Sequence, residues 1–279
     1  MKKLSSLLVL FFIAAAVYAQ EGSMRPYTAD EMKRWATVCD WLGNAIPKTY
    51  KDWKVEKCNC GSFEWAETKN DKPLTIVDKN NKPTGNNPNY AFRFLNESDS
   101  AKMQSQLVES EIMTAQKPDG TYDVEKFNRI SAKLDKFTQC NRIKVYAGVN
   151  YKVELEEQYH ISTSPVKIDL PVTAFAYMYT FPLGKPLFNE RGELMNSNKE
   201  FYKDKALIII STKMPKVIAT PIDGKSSYRE DRIILQDSKL EIMTIPVKNI
   251  VVEITGNEKD IKEIIKQTDW KALQALLGK

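Results

Sequence analysis

Four cysteines, Cys39, Cys58, Cys60 and Cys140, are the residues of this 279-residue chain whose type and spacing carry the most chemistry. In an oxidising compartment an even count reads as two disulfides. Cys58 and Cys60 are separated by one residue, so a bond between them would close a very small, strained ring. Two pairings remain: Cys39 with Cys58 and Cys60 with Cys140, or Cys39 with Cys60 and Cys58 with Cys140. Either closes one loop of about 20 residues and one of about 80, each stabilising by roughly 3 to 4.5 kcal/mol in the chain-entropy account. The competing chemistry is a metal site, since Cys-x-Cys with two further thiols matches a tetrahedral four-sulfur cage. An exported chain favours the disulfides, because thiols are not kept reduced outside the cytosol.

His160 is the only histidine. A hydrolase triad needs a base beside its nucleophile, and a zinc hydrolase usually needs two or three imidazoles, so one ring narrows the chemistry severely. It also falls on the polar parity of its segment, beside Glu156 and Gln158, where a solvent-facing role is favoured. No Gly-x-Ser-x-Gly, phosphate loop, dinucleotide fingerprint or His-Glu-x-x-His occurs. Glycoside hydrolysis needs only two carboxylates, and Glu154, Glu156 and Glu157 are candidates. Glu154 and Glu156 share the exposed parity with Lys152, and such rows are normally a solvated sheet face. Four of the five tryptophans, Trp35, Trp41, Trp53 and Trp65, lie near the first three cysteines. Flat rings stack on sugars, so Trp41, Trp53 and Trp65 are candidate ligand-binding residues, against a competing role in core packing.

The address of the chain comes from its start. Lys2 and Lys3, an apolar run from Leu7 to Val17, and Val17-Tyr18-Ala19 ahead of Gln20 form a secretory signal peptide, with cleavage expected after Ala19. That leaves about 260 residues, enough for one large domain or two modest ones, and a formal charge of about +3 in place of +5. Basic and acidic residues alternate, and no stripe of cations interleaved with aromatics appears, which argues against a nucleic-acid partner. No later segment approaches the roughly 20 apolar residues of a membrane helix. No cysteine follows the apolar run, so a lipid anchor is not supported.

Stepping along the mature chain, Thr28 and Glu31 form a capping box for a helix over 28–46, with Tyr27 and Met32 as a staple and Met32, Trp35, Cys39, Leu42 and Ile46 on one face. Residues 50–65 alternate and predict a short hairpin whose turn carries Cys58 and Cys60. Residues 70–89 read as loop around one edge strand at 74–77. Helices are expected over 98–116 and 123–140, with the turn Pro118-Asp119-Gly120 between them. From Ile143 to Ile161 the odd positions are mostly apolar, which predicts β structure interrupted near Gly148. Residues 170–181 are apolar on both faces, as in a covered strand. Further strands are expected at 206–212, 232–235, 239–243 and 247–255, with a hairpin over 187–195. Two helices close the chain, capped by Asn257 and by Thr268 or Asp269.

Two short patterns bear on modification. Asn96-Glu97-Ser98 is an N-glycosylation sequon. Asp99-Ser100-Ala101 resembles the O-glycosylation triplet of some Gram-negative exported proteins, and a Gln after the cleavage site is similar to exports of the same bacteria. These patterns name no family.

The expected fold is α+β: a mainly helical, cysteine-bearing region over 20–140 packed on a largely antiparallel sheet over 141–279 that ends in two helices, the two regions forming either one domain or two. The expected function is that of a non-catalytic binding or interaction protein of the periplasm or cell surface of a Gram-negative bacterium, with no cofactor and an envelope protein or glycan as partner. A glycan-binding module built on the tryptophans is the alternative, followed by a carboxylate-type hydrolase.

Overall fold

In the computed structural model, which describes residues 23–58, 68–69, 72–77, 89–151, 154–160, 164–180, 204–221, 228–235 and 246–279, the capping box forms as the sequence predicts. Thr28 accepts from the Glu31 backbone at 3.2 Å, while the Glu31 carboxylate accepts from the Thr28 N–H at 2.8 Å. Arg25 adds a forked ion pair to the same carboxylate, at 2.8 and 2.6 Å. Helix α1 (Ala29–Ala45) follows and buries Trp35, Val38, Cys39 and Leu42. The Tyr27–Met32 staple does not form: Met32 is exposed, and Tyr27 packs edge-on against Trp35 at 5.9 Å between ring centroids.

The apolar face of α1 is covered by a seven-stranded antiparallel sheet in the order β2 (Lys54–Cys58), β5 (Asn89–Leu95), β6 (Arg142–Val149), β13 (Asn249–Gly256), β10 (Asp204–Ser211), β9 (Phe175–Tyr179) and β8 (Val166–Lys167). Two strands, β2 and β5, come from before residue 141, so the sheet is shared by both halves of the chain. The first half is therefore less helical than expected, and α+β is the correct description at the level of the whole chain. Strand β5 has no counterpart among the expected elements. Its partner is β2, whose expected hairpin partner at residues 63–65 lies outside the described residues.

Strand parity divides the core. Phe92, Phe94, Val145, Ile208, Val252 and their neighbours face α1 and the closing helices α4 (Glu258–Gln267) and α5 (Trp270–Gln274). Leu207, Ile209, Val251, Phe175 and Tyr179 face the other way, onto Tyr159, Ile233 and Leu235. Tyr159 and Ile233 belong to, and Leu235 directly follows, a second sheet of three strands, β11 (Lys216–Pro221), β12 (Tyr228–Ile234) and β7 (Glu154–His160). The layers run helices, seven strands, three strands. Each fully buried isoleucine of β10 contributes about 1.5–3 kcal/mol over its exposed state, which makes this strand the hydrophobic centre. A third small sheet joins β1 (Ser23–Pro26), β4 (Lys72–Val77) and β3 (Thr68–Lys69).

The expected interruption near Gly148 is where the chain changes sheet. Asn150 has φ of 53°, in the left-handed region that Asn tolerates. Its side chain accepts from the Lys248 N–H at 2.7 Å, and Asn249 both accepts from the Tyr151 N–H at 2.8 Å and donates to the Tyr151 carbonyl at 3.2 Å. Two buried amides thus replace the ladder where β6 ends.

The helical hairpin forms as α2 (Asp99–Met113) and α3 (Val124–Asn141), capped by Ser98 and Asp123. Asn257 and Asp269 cap α4 and α5. The segments at 187–195 and 239–243 lie outside the described residues.

Candidate functional site

The outer face of the large sheet, away from the helices, changes character along its strand order. Over β9, β10 and β13 it is apolar and buried under the second sheet. At the boundary stands an ionic cluster. Lys205 on β10 pairs with the Glu157 carboxylate of β7, and its Nζ lies 3.3 Å from Glu253 Oε2 of β13. One ammonium therefore ties three strands from two sheets. The Glu157 side chain is 5% exposed, against 27% for Glu253, so the cluster leads from the interior towards the surface.

Burial pushes the Glu157 carboxyl above the usual carboxylate range. Glu253 and Asp231 push it the same way, and Lys205 only partly offsets them. Burial alone would lower the Lys205 ammonium, but Glu253 and Glu157 hold it above its ordinary value. Asp231 on β12, also raised by burial, accepts from the Tyr159 hydroxyl at 3.1 Å. A glycosidase uses one free carboxylic acid and one free carboxylate on either side of its substrate. Here both carboxylates are engaged by the same cation, an arrangement suited to holding two sheets together.

Beyond the cluster the same face continues over β13, β6, β5 and β2 with a different lining. Tyr151 folds back over Gly148, whose missing Cβ leaves the room: a Cβ there would stand 2.7 Å from the Tyr151 ring and 3.3 Å from the Tyr146 hydroxyl. Tyr146 and Tyr151 meet edge to face at 6.0 Å. Burial raises the Tyr151 hydroxyl well above its ordinary range, and Tyr146 and Glu253 add to the effect. One register step away Lys144 faces Arg93, and Arg93 faces Glu56. These three side chains and Tyr146 are half-buried.

The residues singled out in the sequence are scattered by the fold. Trp53 is a core residue, 9% exposed and edge-on to Tyr50 at 5.3 Å. Trp41 packs on the margin of the same core, with Lys279 Nζ over its ring at 5.4 Å. Trp65 and Cys60 lie outside the described residues, as do the side chains of Cys58, Glu154, Glu156 and His160. Cys39 is in a disulfide, whereas Cys140 is a free, exposed thiol. That corrects both expected pairings, each of which placed a bridge on Cys140. The register explains it: Lys54, Leu95 and Arg142 align across three strands, and Cys58 is about 13 Å further along β2, away from the end that Cys140 precedes. A bridge needs Cα atoms within about 7 Å. With four cysteines in the chain, the partner of Cys39 is one of Cys58 and Cys60.

The sequon asparagine is engaged as well: Asn96 Nδ2 donates to Asn141 Oδ1 at 2.6 Å. Among the described residues no group of His, Cys, Asp and Glu is arranged to hold a metal ion, and no helix is long and apolar enough to cross a membrane.

The cluster and its face had a signal in the sequence. Glu157 interrupts the apolar odd positions between Leu155 and Tyr159, and Tyr146 occupies the polar parity of β6 beside Lys144. A lone acid on a buried parity, and an aromatic on an exposed one, mark the two ends of this site. Compared with known protein families, with curated proteins and with solved structures, the chain matches none.

Proposed function

We propose that this chain is an exported, non-catalytic binding protein of a Gram-negative cell envelope, and that its binding surface is the outer sheet face over β6 and β5. The observation that carries the reading is the change along one continuous face, from buried Leu207, Ile209 and Val251 to half-buried Tyr146, Lys144, Arg93 and Glu56. Rigid strands hold these polar and aromatic groups at fixed spacing, as a recognition surface requires. The export signal and the Cys39 disulfide agree with an oxidising compartment. The tryptophan-based glycan module has less support, because Trp53 packs against Tyr50 inside the core. A carboxylate hydrolase has less support because Lys205 engages both Glu157 and Glu253.

Immobilised mature protein and its Tyr146→Ala variant, both checked for native circular dichroism, are exposed to solubilised envelope extract. Tyr146→Ala is expected to lose the bound component, whereas Val217→Ala on the exposed outer strand β11 keeps it. Equal capture by all three proteins would overturn the reading.

A further inference from the structure

Strands β5 and β6 are antiparallel neighbours whose register runs to Leu95 opposite Arg142, yet the connection between them is the whole α2–α3 hairpin. A neck fastens it there: the Asn96 N–H donates to the Asn141 carbonyl at 3.0 Å, and Asn96 Nδ2 donates to Asn141 Oδ1 at 2.6 Å. Beyond the neck the hairpin has a cluster of its own. Among the described residues it buries Ala115, Phe127 and Ile130, with Val108, Ile112 and Tyr122 packed against them, and it shares no residue with either sheet core. That is a small core, and units of about 40 residues usually need a further partner for stability.

Helix α2 has a face for one. Val108 and Ile112 lie on its α3 side. On the opposite side Met103, Leu107 and Met113 are 58%, 60% and 65% exposed, with Gln106 and Ser110 between them. At 3.6 residues per turn these five positions fall within an arc of about 120°, the width of stripe that a helix buries against a neighbour. Lys102 and Glu109 border this arc on one side, two turns apart and nearly symmetric about the Met103–Leu107 pair. A two-fold axis between Met103 and Leu107 would set Met103 of each copy on Leu107 of the other and Lys102 of each beside Glu109 of the other. Parallel pairing would set lysine on lysine and glutamate on glutamate. The face is therefore complementary to itself in the antiparallel sense.

We propose that the α2–α3 hairpin is a dimerisation arm, whose outer α2 face docks antiparallel on the same face of a second copy of this chain, the two hairpins forming a four-helix bundle. The pairing is independent of which surface meets the envelope. If that surface is β6 and β5, the dimer presents two of them to a multivalent ligand.

The test is sedimentation velocity of the mature protein, its free thiols alkylated so that exposed Cys140 cannot crosslink two copies. A monomer–dimer equilibrium is expected, weakened about ten-fold or more in Leu107→Lys while the circular dichroism stays native. Lys102→Glu sets acid against acid along the seam and should weaken it likewise. Adding Glu109→Lys to Lys102→Glu should restore it, because the exchanged charges are again complementary. A monomer at every concentration up to about 1 mM, or a dimer indifferent to Leu107→Lys, overturns the arm. A dimer that Leu107→Lys disrupts but the double charge exchange fails to restore overturns the antiparallel seam. A monomeric chain that captures a different envelope protein, and loses it in Leu107→Lys, assigns this face to that partner and overturns self-pairing.

Discussion

Lys205→Met is expected to destabilise the fold by about 3–5 kcal/mol, the cost of leaving buried charges without their counter-ion. The substitution keeps the length and apolar stem of the side chain, so the loss reports the ammonium and not a cavity. Glu157 is then left beside Glu253 and Asp231 without the ammonium that pairs with it. The pH dependence has a definite sign. The Glu157 carboxyl is already raised above its unfolded value, so its favourable contribution is complete below the ordinary carboxylate range and is lost as pH rises through the folded value. Removing the cation raises it further and extends that loss towards neutral pH. Urea unfolding between pH 4 and 8 should therefore show a deficit that shrinks on acidification, and Glu157→Gln added to Lys205→Met should recover part of it. A loss under about 1 kcal/mol, or one independent of pH, would contradict the role assigned to this cluster.

The second large effect is at the opposite face. Asp260 in the first turn of α4 accepts from the Tyr50 hydroxyl at 2.5 Å and from Lys51 Nζ at 2.9 Å, and it is hydrogen-bonded by Asn257, the cap of its own helix. Lys51 reaches it from a left-handed backbone position, with φ of 49°, and lies over the rings of Tyr50 and Trp53 at 4.8 and 5.1 Å. One buried carboxylate thus fastens the segment after α1 to the helices that end the chain. Asp260→Ala strands the buried Tyr50 hydroxyl and removes the charge opposite Lys51, at an expected cost of about 3 kcal/mol. Tyr50 is pushed up to about 12 by burial and by Asp260. Burial alone would raise the Asp260 carboxyl, but hydrogen bonds from Tyr50, Lys51 and Asn257 together hold it below the usual range. Its contribution is therefore present above the unfolded carboxylate pKa and is lost as pH falls through the folded value, opposite in sign to Glu157. Guanidinium unfolding of Asp260→Ala should show a deficit that is largest at neutral pH and shrinks in acid, leaving the part due to the stranded Tyr50 hydroxyl. An undiminished deficit at pH 2 would contradict this account of the clasp.

Local rules written in single segments were legible in the sequence. The Thr28–Glu31 capping box, the helix starts near Ser98 and Asp123, the Asn257 cap, the cap at Thr268 or Asp269 (Asp269 in the fold) and the alternation of β6 each depend on a few neighbouring residues, and all are in the fold. Pairing over long range was not legible. Strand β2 alternates whichever partner it has, so nothing near Trp53 announces that it joins β5. Strand β5 itself is a short run, Tyr90 to Leu95, broken by Arg93, and such runs lack a decisive period. The Arg93–Lys144 opposition needs two registers to be known at once, which composition and parity do not supply. The tryptophans drew attention by type and position, but whether a ring packs or binds depends on what the fold lays over it, and Tyr50 lies beside Trp53.

The most direct measurement uses a photoreactive amino acid at position 56, half-exposed on the outer sheet face, and in a second protein at position 33, exposed on α1 in the helical layer. Irradiation in intact cells, followed by mass spectrometry, reports which side of the molecule meets its envelope ligand. Crosslinks from position 56 and none from position 33 are the predicted result. Crosslinks from position 33 with position 56 silent would contradict the assignment of the binding surface.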